Sequence, residues 1–98
     1  MEIIHLENQN FNELIVNEDK VLVDFYANWC GPCKMLSPIL EKVEKNIKVI
    51  KVDVDIHEEL ARKYGVMSIP TIVLFEKGIE SKRNIGFIDK ERLEKFID

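Results

Sequence analysis

Residues 23–35 read "VDFYANWCGPCKM", and the fold turns on how this stretch is parsed. Lys20 to Ala27 forms a near-continuous apolar run, the pattern of a central strand covered on both faces. Just beyond it, Leu36, Ile39, Leu40 and Val43 recur at i, i+3, i+4 and i+7, which is helical spacing. That helix starts close to Cys30, and Pro38 inside it removes a backbone hydrogen bond to the Lys34 carbonyl, predicting a kink. The unit is therefore strand, turn, helix. Both cysteines of the chain, Cys30 and Cys33, sit at the turn, and one carboxylate, Asp24, lies inside the strand.

Outward from this unit, strands and helices alternate at short intervals, without linker, repeat or low-complexity segment. Residues 2–6, "EIIHL", read as a short strand. Asn10, with Glu13 three residues on, opens a helix whose stripe is Phe11, Leu14 and Ile15. Residues 48–54 alternate: Ile50, Val52 and Val54 share one face, and Val49, Lys51 and Asp53 the other. Asp55, with Glu58 three on, is expected to cap a helix that Gly65 ends. Pro70 precedes the buried strand "TIVLF", and "EKG" at 76–78 turns into an antiparallel strand over about 80–87. The charges of "ESKR" suit a sheet edge. Asp89 caps a last helix carrying Leu93, Phe96 and Ile97. The order is βαβαβαββα, an α/β architecture with a mixed sheet flanked by helices on both faces. Strands joined by helices are expected to run parallel.

Composition sets bounds. The 98 residues point to one domain over 1–98, and 46% apolar residues suffice for a core without disulfide staples. A net charge of −4 speaks against a nucleic-acid binder, which normally shows a basic face. No apolar run approaches the roughly 20 residues of a membrane helix. "MEIIHLENQN" has no signal-peptide pattern, so the cytosol is the expected compartment. Thiols there stay mostly reduced, and a close cysteine pair is then more often catalytic or metal-binding than structural.

Residues three apart at a helix start face the same side, about 5–6 Å between Cβ atoms, and a disulfide needs Cα atoms roughly 4.4–6.8 Å apart. Cys30 and Cys33 thus switch between dithiol and disulfide with little backbone movement. The ring they close is short, which makes it a poor staple and a good redox couple. The partial positive charge of a helix N-terminus favours a thiolate on Cys30, below the free value of about 8.5, and Lys34 adds charge nearby. Gly31 leaves the approach open, and Pro32 stiffens the first turn. Cys30 reads as the exposed nucleophile and Cys33, one turn deeper, as the resolving thiol.

Plainer readings stand beside these. A lone CxxC supplies two zinc ligands of four, and neither His5 nor His57 is near in sequence. Asp24 at a solvated strand position is an ordinary residue; buried, its pKa rises and it becomes a proton acceptor for Cys33. Lys51, on a strand expected to pair beside it, either faces Asp24 or is solvated. Trp29 is core filler or, preferably here, part of a hydrophobic docking patch.

"WCGPCK" after "VDFYA", with "SIPT" downstream, resembles the thioredoxin family from Asn10 to the end, in order and spacing. The resemblance implies a thioredoxin fold, with Cys30 attacking and Cys33 resolving. It also implies a buried Asp24 with Lys51 as neighbour, and a substrate surface of Trp29, Gly31, Pro32, Ile69, a cis Pro70 and Gly86. It implies no bound cofactor beyond the redox-active Cys30–Cys33 disulfide. The partners implied are disulfide-containing targets and a flavoprotein thioredoxin reductase using NADPH; nucleic acid and membrane are not expected, and a monomer is. Tyr26 stands where many members have tryptophan, Asn28 replaces a common acidic or serine-like residue, Met67 and Ser68 fall where members vary, and Glu44–Val49 is short.

The expected activity is reduction of protein disulfides. An oxidase or isomerase is the nearest rival, but such relatives usually carry histidine between the cysteines, where this chain has Gly31-Pro32. A membrane-tethered reductase would need an anchor. A thioredoxin-fold binding subunit would leave both cysteines dispensable.

Overall fold

The computed structural model describes residues 1–98. Nine elements follow in chain order: β1 Glu2–His5, α1 Phe11–Val16, β2 Lys20–Tyr26, α2 Gly31–Glu41, β3 Lys48–Asp53, α3 Glu58–Lys63, β4 Thr71–Glu76, β5 Ile79–Ile85 and α4 Lys90–Ile97. The strands form one sheet in the order β1-β3-β2-β4-β5. The apolar run of β2 is explained by its place: it lies at the centre, parallel to β3 and antiparallel to β4.

Alternation along β2 splits the core in two. Val21, Val23 and Phe25 point to one face, with Ile50 and Val52 of β3, Phe11 and Ile15 of α1, and Ala61 of α3. Leu22 points to the other face, with Val49 of β3, Leu36 and Leu40 of α2, and Leu93 and Ile97 of α4. Helices therefore cover both faces. Side chains buried to this degree stabilise by about 1.5–3 kcal/mol each, so the central strands carry much of the fold. On the opposite parity from Phe25, Asp24 shares the α2/α4 face and is drawn into the core with its strand.

The caps at both ends of the chain are as read. The Asn10 side chain accepts the Glu13 amide at 3.1 Å, and Asp89 accepts the Arg92 amide at 2.9 Å. After α3, Gly65 at φ +64° lets the Val66 amide reach the Ala61 carbonyl and its own amide reach Arg62, closing the helix. Pro38 lies within α2, as expected, but α2 ends at Glu41, and Val43 is buried just beyond it.

Two expectations are corrected. Asp55 does not cap α3. The amides of Ile56 and His57 both bond the Asp53 carbonyl, and the Asp55 amide bonds Asp53 Oδ1, forming a turn that delays the helix to Glu58. His57 occupies the cap position without a side-chain capping bond, its ring pairing instead with the Leu6 carbonyl. Second, β3 and β4 are joined through a helix yet run antiparallel, since β2 is parallel to β3 and antiparallel to β4. The lane along that face is already held by α1, whose Phe11 ring lies 5.7 Å from Tyr64 just past α3. The six residues of α3 span about 9 Å, and the chain re-enters the sheet at the end it left.

The β4–β5 hairpin turns through Lys77 and Gly78 at φ +53° and +83°, the two positive values of a type I′ turn. A Cβ on Gly78 would lie 2.6 Å from Val16 Cγ1. Gly78→Ala is expected to destabilise the protein by about 1–2 kcal/mol, from left-handed strain and displacement of Val16. The check is the urea midpoint, which should fall; an unchanged midpoint would contradict this reading of the turn.

Candidate active site

Where β2 leaves the sheet, the chain makes a short turn, and the first free amides of α2 need an acceptor. The Cys30 sulfur supplies it: Cys30 is the N-cap of α2, with extended backbone, and its Sγ accepts the Cys33 amide at 3.2 Å. Pro32 occupies the first turn, where no amide is missed. Cys30 and Cys33 are joined as a disulfide with Cα atoms 5.2 Å apart, inside the range that helix spacing allows.

The expected contrast in exposure is not found: Cys30 and Cys33 are each 4% exposed. Cys30 is covered because a second segment closes over it, with the Ile69 carbonyl 3.8 Å from its Sγ. The two sulfurs differ instead in what they face. Cys33 lines a cavity of about 120 Å³ with Tyr26, Ala27, Asn28, Lys34, Ser37 and Lys51, whereas Cys30 faces the Ile69 segment.

That segment is held from three sides. The Ile69–Pro70 bond is cis, as the resemblance implied. Thr71 Oγ1 donates to the Ser68 carbonyl at 2.6 Å, and the Gly86 amide, at φ +95°, donates to the Pro70 carbonyl at 2.8 Å. Gly86 thus belongs to the wall behind Pro70. Around the disulfide, Gly31 and Pro32 are exposed and Ile69 is half-buried. Trp29 is 70% exposed, so it is not core filler, and Met67 lies open nearby in sequence to Ile69. The Trp29 indole is not free: its Nε1 donates to Asp55 Oδ2 at 2.9 Å. This second duty of Asp55 was missed in the sequence, where its only legible signal was a carboxylate at the end of a strand.

Asp24, on β2, is 1% exposed and its register partner on β3 is Lys51. Lys51 is itself buried, so the solvated reading fails for both. Lys51 Nζ lies 3.9 Å from Asp24 Oδ2, 3.0 Å from Ser37 Oγ and 4.6 Å from the Tyr26 ring centroid. Asp24 Oδ1 has no hydrogen-bond partner. Burial pushes the Asp24 carboxyl up to about 6, against an opposing pull from Lys51. Burial, helped by Asp53 and Asp24, also raises the Tyr26 phenol. Ser37 escaped the sequence reading, although it stands four residues after Cys33 on the same helical face.

A disulfide between residues at a helix N-terminus, roofed by a proline loop, defines a thiol–disulfide oxidoreductase. The thioredoxin family model matches residues 2–98. Thioredoxin from Bacillus subtilis is 41% identical over 100% of this chain and 97% of its own length. That from Chlamydia caviae is 46% identical over 92% of this chain and 90% of its own. Among solved structures, a mutant thioredoxin from Halobacterium salinarum superposes with a TM-score of 0.92 at 38% identity, covering 98% of this chain and 88% of that one. The oxidised thioredoxin of Plasmodium falciparum gives 0.85 at 33% identity, covering 99% and 100%. The chain belongs to the thioredoxin family, disulfide-reducing oxidoreductases that act by dithiol–disulfide exchange.

Stability carries the mark of Asp24. A carboxyl whose folded-state pKa stands at about 6, against 3.8 ordinarily, opposes folding once ionised. Stability is full below pH 3.8, falls as pH rises to about 6, and is level above. The gap corresponds to roughly 3 kcal/mol, and loss of the Lys51 counter-charge offsets part of it in a variant. Asp24→Asn is expected to be more stable than wild type by about 1–3 kcal/mol at pH 7.5, with no gain at pH 3.5. Urea unfolding at the two pH values checks this; a variant less stable at pH 7.5 would refute it.

Proposed function

We propose that Cys30 is the attacking thiol and Cys33 the resolving thiol of a protein disulfide reductase. The observation that carries the assignment is the N-cap: the Cys30 sulfur already accepts a backbone amide and faces the helix N-terminus, an arrangement that favours a thiolate. In the reduced protein, the Cys30 thiolate attacks one sulfur of a target disulfide. A mixed disulfide forms and the target's other sulfur leaves as a thiolate. Cys33 then gives its proton to the Asp24 carboxylate, and its sulfur attacks Cys30 Sγ. The second target thiolate leaves, and the Cys30–Cys33 disulfide forms. Two electrons have passed to the target.

Asp24 suits the acceptor role because, raised to about 6, it is ionised near neutral pH yet more basic than an ordinary carboxylate. It stands behind Lys51, which shares a cavity with Cys33 large enough for water to relay a proton. Lys51 balances the charge. Trp29, Gly31, Pro32, Ile69, Pro70 and Gly86 form the surface that receives the target backbone, with the exposed Trp29 face as its apolar part. A flavoprotein reductase drawing on NADPH returns the pair to the dithiol, and the chain works as a monomer in the cytosol, where other thiols stay reduced.

The test uses insulin with an NADPH-dependent thioredoxin reductase. Wild type should accelerate precipitation of the insulin B chain well beyond dithiothreitol alone. Cys30→Ser should abolish the effect, and Cys33→Ser should accumulate mixed disulfides through Cys30, seen by mass spectrometry of acid-quenched samples. Mixed disulfides trapped on Cys33 by the Cys30 variant, and none by the other, would invert the roles.

A further inference from the structure

The ammonium of Lys51 has two oxygen partners to choose between. It lies 3.0 Å from Ser37 Oγ and 3.9 Å from Asp24 Oδ2, and the Tyr26 ring, 4.6 Å away, closes a third side. An ammonium buried beside a carboxylate would ordinarily close to a charge-assisted bond of about 2.7–2.9 Å. Here it is drawn toward a hydroxyl on the neighbouring helix, and the carboxylate keeps one oxygen with no partner at all. We propose that Ser37 is a positioning residue for the exchange reaction: its hydroxyl seats the Lys51 ammonium short of Asp24, leaving the carboxylate open to take up a proton.

The surroundings leave Lys51 as the dominant charge on Asp24. β3 contributes Lys51 and, two residues on, Asp53; α2 contributes Ser37, Cys33 and, at the cavity rim, Lys34. On β2 the titratable groups of this parity are Tyr26, beside Asp24, and Lys20, whose ammonium reaches the Ile97 carbonyl; β4 places Ile72 at the paired position, and α4 brings Leu93 and Ile97 to this face. With the Ser37 hydroxyl removed, the remaining oxygen partner the structure gives the ammonium is Asp24 Oδ2. Closing from 3.9 Å to hydrogen-bond distance in a medium of effective dielectric about 20 favours the ionised carboxyl by about one pH unit. A carboxylate held that firmly is a weaker proton acceptor, so turnover suffers although no catalytic group has been altered. The consequence for turnover rests on the acceptor role proposed for Asp24.

The experiment follows the Asp24 carboxyl carbon by NMR through a pH titration of the disulfide form, assigned with Asp24→Asn. Wild type, Ser37→Ala and Ser37→Thr are compared. Ser37→Ala should lower the midpoint by about one pH unit, whereas Ser37→Thr, which keeps the hydroxyl beside a cavity with room for the methyl, should restore it. A midpoint that stays or rises in Ser37→Ala, or that falls equally in Ser37→Thr, overturns the seat. Insulin reduction across pH is measured in parallel, and its acid limb should move down with the midpoint. A limb that stays put while the midpoint falls leaves the seat in place but overturns the acceptor role of Asp24, and with it any part for Ser37 in turnover.

Discussion

The first turn of α2 has amides with no partner inside the helix, and a sulfur satisfies the one at Cys33. Much of the site depends on that substitution of sulfur for the usual oxygen cap. It fixes Cys30 at the helix N-terminus, in the positive end of the helix dipole, and brings Cys33 within disulfide reach one turn on. It also ties the site to the sheet, because the turn before Cys30 begins where β2 ends and the Cys30 amide bonds the Ala27 carbonyl at 3.3 Å. The central strand thereby sets the position of the reactive end, and the Ile69–Pro70 segment, anchored through Gly86 just past the edge strand β5, sets its roof.

Beneath this, the charge balance runs against stability. Asp24 shares β2 with residues that hold the two core faces together, so it cannot leave the interior without the strand. Lys51 offsets only part of the burial, since its ammonium bonds Ser37 and stands off from the carboxylate. A buried carboxyl with an unpartnered oxygen is what a fold selected for stability alone would remove. In the proposed exchange, this carboxyl takes the proton that Cys33 gives up.

Local signals proved legible where one residue's chemistry decides the outcome. Asn10 and Asp89 cap their helices, Gly65 ends α3, and Lys77-Gly78 turns the hairpin, each for a reason visible within a few residues. The CxxC spacing likewise fixed its own geometry. What escaped depends on contacts between segments distant in sequence. The direction of β4 depends on the chain re-entering the sheet at the end where β3 leaves it, and Asp55 is claimed by Asp53 and Trp29 rather than by its own helix. From spacing alone Lys51 reads by default as solvated, and only the cover over its strand buries it. The equal burial of the two cysteines comes from the Ile69 segment, nearly forty residues downstream, and nothing near Cys30 announces it.

Equal burial makes the central claim sharp. If exposure governed reactivity, two cysteines each 4% exposed would be modified alike. If the cap and the helix N-terminus govern it, they would not. The direct measurement is the alkylation rate of each thiol in the fully reduced protein at pH 7, by timed iodoacetamide quenching and peptide mass spectrometry. Cys30 should be alkylated at least tenfold faster than Cys33, an order-of-magnitude expectation from its placement at the positive helix end. Equal rates, or faster modification of Cys33, would contradict the account.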